Sequence, residues 1–533
     1  MSAATLIGGL SFASAILGIV KNRVFEATFI GQEKRLIDAF LAAFRVPDFL
    51  FQLLVVGVLS ATFIPVYTRV MHSKQGRDEL VGTLMTILGS AYIVVSLVVG
   101  MFGRQVISTF TGEGFGEEQI VLAASLMNIM LVAQFFFLIS NFLSGILQSN
   151  KRFIFPALSP VLYNLGIIGG TIFLTPMFGI YGPAIGVLIG ACAHVLIQLP
   201  MAMQHGFRFR LSFHIHNKDV QEVMRLMGPR GATLSTNALE DFFQVYIATS
   251  LGSSLLRIVN YSYSLVAAPV RFFGVAIAQA ALPFLSLEAK EKDAHGFTLL
   301  LMKTLHQIAF FMFPAGALLL VLRIPIVRLA YGAKGLPWQD TVLLGQMVAL
   351  FSLSVAATAM IHVVLRAYYA LKETRIPFWI ALIAMGSNIL VMWTGAYVFS
   401  WGLPSVALGT TVAAIIELLL LMIFLFRKVG MFSWGEFFIP QSKIVLATIC
   451  MGISLYIPLK VLDQLVFDTT RTVGLLALTG IASLCGLFVY LAFCKVFAVE
   501  QLSIAVAIHG KFRDWQGKLA KTSEVLSVEA DET

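Results

Sequence analysis

Asp38 and Arg45 stand seven residues apart in DAFLAAFRVPDFLF, residues 38–51, a run otherwise made of Ala, Phe, Leu, Val and Pro with one further charge, Asp48. Seven residues are close to two turns of helix, so the two charges share a face. At mid-bilayer a charge costs at least ~2.5 kcal/mol even on the lenient insertion scale, so such a face must point at water or protein. Two readings are open. Arg45 is a structural charge, paired with Asp38 or snorkelling from a helix end, or it is a ligand for an anion. Lys21 and Arg23 close the first apolar run and Arg271 lies beside Pro269 in a later one, so basic residues from several segments are available to an anion. Glu240 and Asp241 are adjacent and cannot share a helical face. Asn164, Gln244, Asn260, Gln279, Asn388 and Glu417 add polar points to other apolar runs. Interhelical hydrogen bonding is the ordinary role of such residues in lipid.

The segments that carry these residues are those of a polytopic membrane protein. Of 533 residues 58% are hydrophobic and only 12% charged, about half the charge of an ordinary soluble domain. Walking the chain for runs of about 20 apolar residues gives fourteen, from 4–29 and 36–68 through 229–251 and 255–286 to 473–497, none alternating as barrel strands do. The expected fold is all-α, with about 14 transmembrane helices. The second and eighth runs are long, and Pro47 and Pro269 are the expected kinks. Most Lys and Arg fall in loops that become cytoplasmic if both termini are inside, which orients the chain N-in and C-in. Attraction of these loops to an anionic leaflet accounts for the net charge of +9 without a nucleic-acid partner. The first run lacks a basic start and a cleavage site, so it is expected to be retained. Residues 498–521 mix apolar and basic side chains and are expected to form a helix on the cytoplasmic surface.

The chain carries no Walker loop, GxSxG, HExxH or metal-spaced His cluster, and Cys192, Cys450, Cys485 and Cys494 lack ligand spacing. His194, His306 and His362 are isolated, as packed or hydrogen-bonded histidines are. The expectation is transport rather than catalysis, with no cofactor and no metal.

Three landmarks recur. GVLSATFIPVY (57–67) resembles GVAIAQAALPFLS (274–286), KRFIFP (151–156) resembles KETRIP (372–377), and YGPAIGVLIGA (181–191) resembles WGLPSVALGTT (401–411); their matched prolines are 218, 221 and 221 residues apart. Six spans return the chain to its starting side, so the copies are parallel and a substrate cavity is expected between them. The expected organisation is a six-helix lobe in 1–205, a cytoplasmic linker in 206–228, a second six-helix lobe in 229–428, two further spans in 429–497 and a cytoplasmic tail in 498–533.

Span 2, DAFLAAFRVPDFL followed by GVLSATFIPVY, and span 8, NYSYSLVAAPVRFFGVAIAQAALPFLS, resemble the MurJ/MviN family of lipid II flippases, within the multidrug/oligosaccharidyl-lipid/polysaccharide exporter superfamily. RLMGPR before span 7 and the paired entries to spans 5 and 11 fit the same family, and the likeness covers roughly residues 10–430. The resemblance implies a cationic central cavity in a bacterial inner-membrane protein. Its substrate would be a polyprenyl-pyrophosphate-linked peptidoglycan precursor, carried from the inner to the outer leaflet by alternating access. Membrane lipids and other cell-wall synthesis proteins are the implied partners. Where the family carries cations this chain has Ala15, Phe51, Gln52 and Ser264, while Asn22 stands for its aspartate and Val56 for its glutamate. Lys21, Arg45, Arg271 and Arg230 are then the candidate cavity cations, with Asp38 beside them. Glu240, Asp241, Gln244 and Asn388 are the candidates for gating or ion coupling. Gln244 and Met392 stand where some members have acids tied to sodium. Two other outcomes stay open: a flippase for another polyprenyl-linked glycan, and a non-transporting scaffold for cell-wall assembly.

Overall fold

The computed structural model describes residues 3–29, 34–56, 63–291, 293–332, 336–430, 433–465 and 471–503. Most of the tail expected to form a surface helix lies outside the described residues. The rest is helical, with no strand among the described residues. In chain order the helices begin α1 Ala3–Phe29, α2 Lys34–Phe51, α3 Ile64–Val70, α4 Lys74–Met101, α5 Gly103–Phe110, α6 Glu117–Ser149 and α7 Ile154–Gly169. They continue with α8 Thr175–Phe178, α9 Tyr181–Leu196, α10 Leu199–Gln204, α11 Lys218–Leu251, α12 Leu256–Pro269, α13 Ala276–Glu291 and α14 Ala294–Val321. The last seven are α15 Arg323–Tyr331, α16 Trp338–Ser352, α17 Val355–Ala370, α18 Arg375–Trp393, α19 Pro404–Val429, α20 Trp434–Leu465 and α21 Thr472–Val496.

Ordinary end chemistry sets several boundaries. Ser73, Asn217 and Asp293 accept backbone N–H groups at the starts of α4, α11 and α14, relieving donors that no helix can satisfy internally. The Asn217 cap starts α11 well before the expected start of span 7 at residue 229. Exposed apolar side chains such as Leu97 on α4 (64%) and Phe488 on α21 (74%) leave faces that only hydrocarbon would cover.

Among the described residues ten helices are long and apolar enough to cross a bilayer, or eleven if α16 and α17, bent by 42° at their junction, form one span. Fourteen apolar runs were expected. Helix α2 is not among the ten, because Lys34, Arg35, Asp38, Arg45 and Asp48 all lie within its 18 residues. The expected kinks at Pro47 and Pro269 fall just before stretches of wide, π-type turns, Gln52–Val56 and Val270–Val275. Proline removes a ladder hydrogen bond, and the wider turn re-registers the backbone.

The sequence repeat has a backbone counterpart. Those two π-type stretches occupy matching places, as do Gly170–Leu174 and Thr394–Val398. Lys151 (φ 59°) and Lys372 (φ 56°), the first residues of the KRFIFP and KETRIP landmarks, are both left-handed. Each follows a helix closed by the same bonds: Arg152 N–H to the Leu147 carbonyl, and Glu373 N–H to the Tyr368 carbonyl. A left-handed non-glycine costs about 1 kcal/mol, so its recurrence at one register marks a shared turn.

Contacts divide the chain into two compact units. Residues 1–268, 324–351 and 378–417 form the first, and 269–323, 352–377 and 418–533 the second. In the first, Gly166 and Gly170 face Gly190 and Gly186 so closely that a Cβ on Gly166 would sit 2.6 Å from the Gly190 Cα. Glycines thus let α7 and α9 pack backbone to backbone. In the second, Tyr490 donates to the Phe310 carbonyl and Tyr368 to that of Leu421, at 2.8 and 2.9 Å. Those bonds fasten α21 to α14 and α19 to α17.

Candidate functional site

Arg45 sits where α2 meets α11 and α12, inside the first unit. Its Nη2 donates to Asn260 Oδ1 at 2.8 Å, and its Nη1 lies 3.5 Å from Asp241 Oδ1. Its Nε is buried with no hydrogen-bond partner. A guanidinium presents five donors in a fixed fork, so the two contacts leave donors for an anion. Asp241 is 45% exposed while Arg45 is 18% exposed, so one end of the pair is open. A turn further along α2, Asp48 accepts a 2.5 Å bond from Gln134 Nε2 of α6. Lys21 of α1 is near enough to Asp48 for their charges to interact.

Asp38 is not the partner of Arg45. It is fully buried, and its two carboxylate oxygens accept the backbone N–H groups of Leu256 and Arg257, each at 2.8 Å. A carboxylate from α2 thereby caps α12, where orphan N–H groups and the helix dipole both favour an anion.

Next to that cap is a charge cluster that sequence reasoning missed. Arg257 is fully buried; its Nη1 donates to Glu26 Oε1 of α1 at 2.7 Å and its Nη2 to Asp340 Oδ2 of α16 at 2.5 Å. Lys34 reaches the same Asp340 oxygen at 2.6 Å. With Asp38, three carboxylates and two cations join the ends of α1, α2, α12 and α16. Glu26, Lys34 and Asp340 stand at the margins of apolar runs, where a charge reads as a loop residue. Arg257 falls just inside the eighth run and Asp38 inside the second, the signals the sequence carries for the cluster.

Glu240 turns away from Arg45, as its adjacency to Asp241 requires. The Asn388 side chain of α18 and Glu417 of α19 both lie close enough to Glu240 to interact with its carboxyl group. Asn388 is 1% exposed, and a Cβ at Gly409 would meet its Oδ1 at 2.7 Å, so that glycine makes room for the amide. Gln244, a turn beyond Glu240, is half-buried. Arg271 is exposed on the wide-turned stretch of the second unit. The Arg230 side chain lies outside the described residues. Ser140 hydrogen-bonds with His194 and the Phe437 carbonyl with His306, the packing role expected of lone histidines.

A family model described as "Lipid II flippase MurJ" matches residues 27–473. The chain belongs to the MurJ family. A "Probable lipid II flippase MurJ" of Bdellovibrio bacteriovorus is 25% identical over 512 residues, covering 94% of this chain and 96% of that protein. A "Probable lipid II flippase MurJ" of Thermotoga maritima is 27% identical over 496 residues, covering 92% and 95%. Among solved structures, "Lipid II flippase MurJ, inward closed conformation" superposes with a TM-score of 0.76 at 24% identity, covering 92% of this chain and 98% of that one. An inward-facing multidrug resistance MATE family transporter of the MOP superfamily superposes with a TM-score of 0.64 at 13% identity, covering 81% and 95%. These likenesses show a shared fold that reaches beyond the MurJ family. In that fold Arg45 of α2 keeps unspent donors beside one neutral partner and one loose carboxylate contact, while the Arg257 guanidinium already bonds two carboxylates within the protein.

Proposed function

We propose that this chain is a lipid II flippase of the bacterial inner membrane, oriented N-in and C-in. It carries the polyprenyl-pyrophosphate-linked peptidoglycan precursor from the inner to the outer leaflet by alternating access. The observation that carries the reading is membership of the MurJ family over 27–473, with relatives of nearly the same length that bear that name. A pyrophosphate, sugar and peptide headgroup cannot cross hydrocarbon, whereas its polyprenyl tail never has to leave it. The protein's task is therefore to shelter a charged headgroup, and arginine suits pyrophosphate through its bidentate fork. Arg45 is the residue assigned to the phosphates, with Lys21, Arg271 and Arg230 as further candidate cations, and Asp38 fixes the start of α12. Glu240 and Asn388, with Asp241 and Gln244 on the same helix as Glu240, are the groups assigned to gating or coupling.

The test is complementation: the chain is expressed in a bacterium whose own lipid II flippase can be shut off. Recovery of growth and of precursor on the outer leaflet is the expected result; no recovery at good expression would refute the reading. Arg45→Ala should abolish flipping at matched protein level, and Arg45→Lys should leave a partial defect. Reversing Arg45 and Asp241 together should not restore flipping, because the pair would survive while the anion ligand would not. Normal flipping by Arg45→Ala would remove Arg45 from the site.

The substitution of family cations by Ala15, Phe51, Gln52 and Ser264 favours a second reading, a flippase for another polyprenyl-linked glycan or a scaffold for cell-wall assembly. Failure of rescue together with retained binding of a polyprenyl pyrophosphate would select a different glycan. Loss of both would select the scaffold.

A further inference from the structure

An open cleft of about 630 Å³ lies within the first unit, walled by α2, α4, α5 and α11, a volume typical of small-molecule sites. Its walls include Phe49, Leu50, Val99, Phe110, Phe242 and Tyr246. Phe242 meets Phe49 edge-on at 5.7 Å between ring centres and Phe110 at 5.0 Å, which stiffens the wall between α2 and α11. Thr109 also lines the cavity, but its hydroxyl is spent on the Gln105 carbonyl. Water needs several polar partners to stay in a cavity, and this wall supplies almost none. Hydrocarbon is the matching occupant.

The position of the cavity narrows which hydrocarbon. Phe49 follows Arg45 by four residues, so it lies on the same face of α2 one turn on, and Phe242 directly follows Asp241. The two helices that meet through the Arg45 and Asp241 charges therefore meet again, a turn away, through the ring contact that walls the cavity. An apolar slot beside a guanidinium with spare donors fits an amphiphile that carries phosphate at one end and a chain at the other. Arg45 lies eleven residues along α2 from Lys34, roughly 16 Å of helix. With Lys34 at the membrane surface, where the expected start of span 2 puts it, a bulk phospholipid, whose phosphate stays at that surface, cannot set it beside Arg45 while its chain fills this slot. A lipid whose headgroup is taken into the protein can.

We propose that the cavity between α2, α4, α5 and α11 receives the first isoprenyl units of the polyprenyl chain whose pyrophosphate is held at Arg45. This rests on the substrate class given above and adds the place where the tail is gripped. Recognition then extends past the headgroup to the chain.

The experiment uses the full chain in nanodiscs with two photoactivatable probes. One is a polyprenyl diphosphate carrying a diazirine on its second isoprene unit; the other is a phosphatidylglycerol carrying a diazirine on one acyl chain. The diphosphate probe should label cavity-lining positions of α2 and α11. Labelling there should fall at least tenfold when the slot is filled by Thr109→Trp or, independently, Val99→Trp, each checked for an unchanged unfolding midpoint. Arg45→Ala should lower it to a similar degree, and phosphatidylglycerol should not label these positions. Diphosphate labelling only outside the cavity, or undiminished in both filled variants, overturns the inference even if the probe binds. Equal labelling by phosphatidylglycerol makes the slot a bulk-lipid site and overturns it as well. If the wild-type protein binds no polyprenyl diphosphate anywhere, the substrate class itself falls, a result distinct from binding with the tail elsewhere.

Discussion

Arg45 and Arg257 are two arginines in apolar surroundings with opposite circumstances. Both leave a buried Nε without a hydrogen-bond partner, but Arg257 bonds two carboxylates, Glu26 and Asp340, whereas Arg45 has one close partner, the neutral Asn260, and a looser contact with Asp241. Removing one partner of a buried pair strands the other charge, at a cost of about 3–5 kcal/mol. Arg257→Gln is therefore expected to destabilise the protein by about 3 kcal/mol or more, read as a lowered unfolding midpoint in detergent, while Arg45→Gln should cost far less. Equal losses would mean that the Arg257 cluster is solvated and contributes little. The Asp38 cap shows why the pairing of Asp38 with Arg45, open from the sequence, had to be settled by contacts. Seven residues of separation put two side chains on one face, but not within reach of each other, and the start of α12 offered Asp38 two N–H donors.

Between helices, the closest fit is α7 against α9. Gly186 has backbone atoms of Gly166 and Gly170 at 2.7 and 3.0 Å from where its Cβ would be. Gly186→Ala must therefore push two backbones apart, and overpacking of this kind costs about 1–3 kcal/mol. Gly186→Leu should cost more. Unfolding midpoints of wild type, Ala and Leu variants should fall in that order, and an unchanged midpoint for Leu would show that the helices can separate freely. GxxxG spacing in 182–190 makes this contact half-legible in sequence. The partner glycines, Gly166 and Gly170, are identified only by which helix lies opposite.

For the whole molecule, orientation is the expectation that one measurement decides. With N-in and C-in topology, a cysteine at Ser212 should be reached by a charged thiol reagent only from the cytoplasmic side and one at Glu113 only from the outside. Both belong in a background where Cys192, Cys450, Cys485 and Cys494 are replaced. Labelling of both from one side would overturn the orientation read from the basic loops. The repeat belongs to this scale as well: landmarks found as letters return as left-handed Lys151 and Lys372 and as π-type turns before and after them.

Membrane residence, helical class, the repeat and the outward separation of Glu240 from Asp241 follow from the sequence, because hydrocarbon forces long apolar helices and a helix fixes which neighbours share a face. The number of spans is less direct, since charge inside α2 hides it from a hydropathy test and the bend between α16 and α17 divides a single run. Which charges meet was decided by tertiary structure alone. Glu26 and Lys34, Arg257, and Asp340 come from three stretches far apart in the chain, and no local period relates them. Their pairing depends on how helix ends are brought together, and that is set by packing along whole helices rather than by any neighbour in the chain.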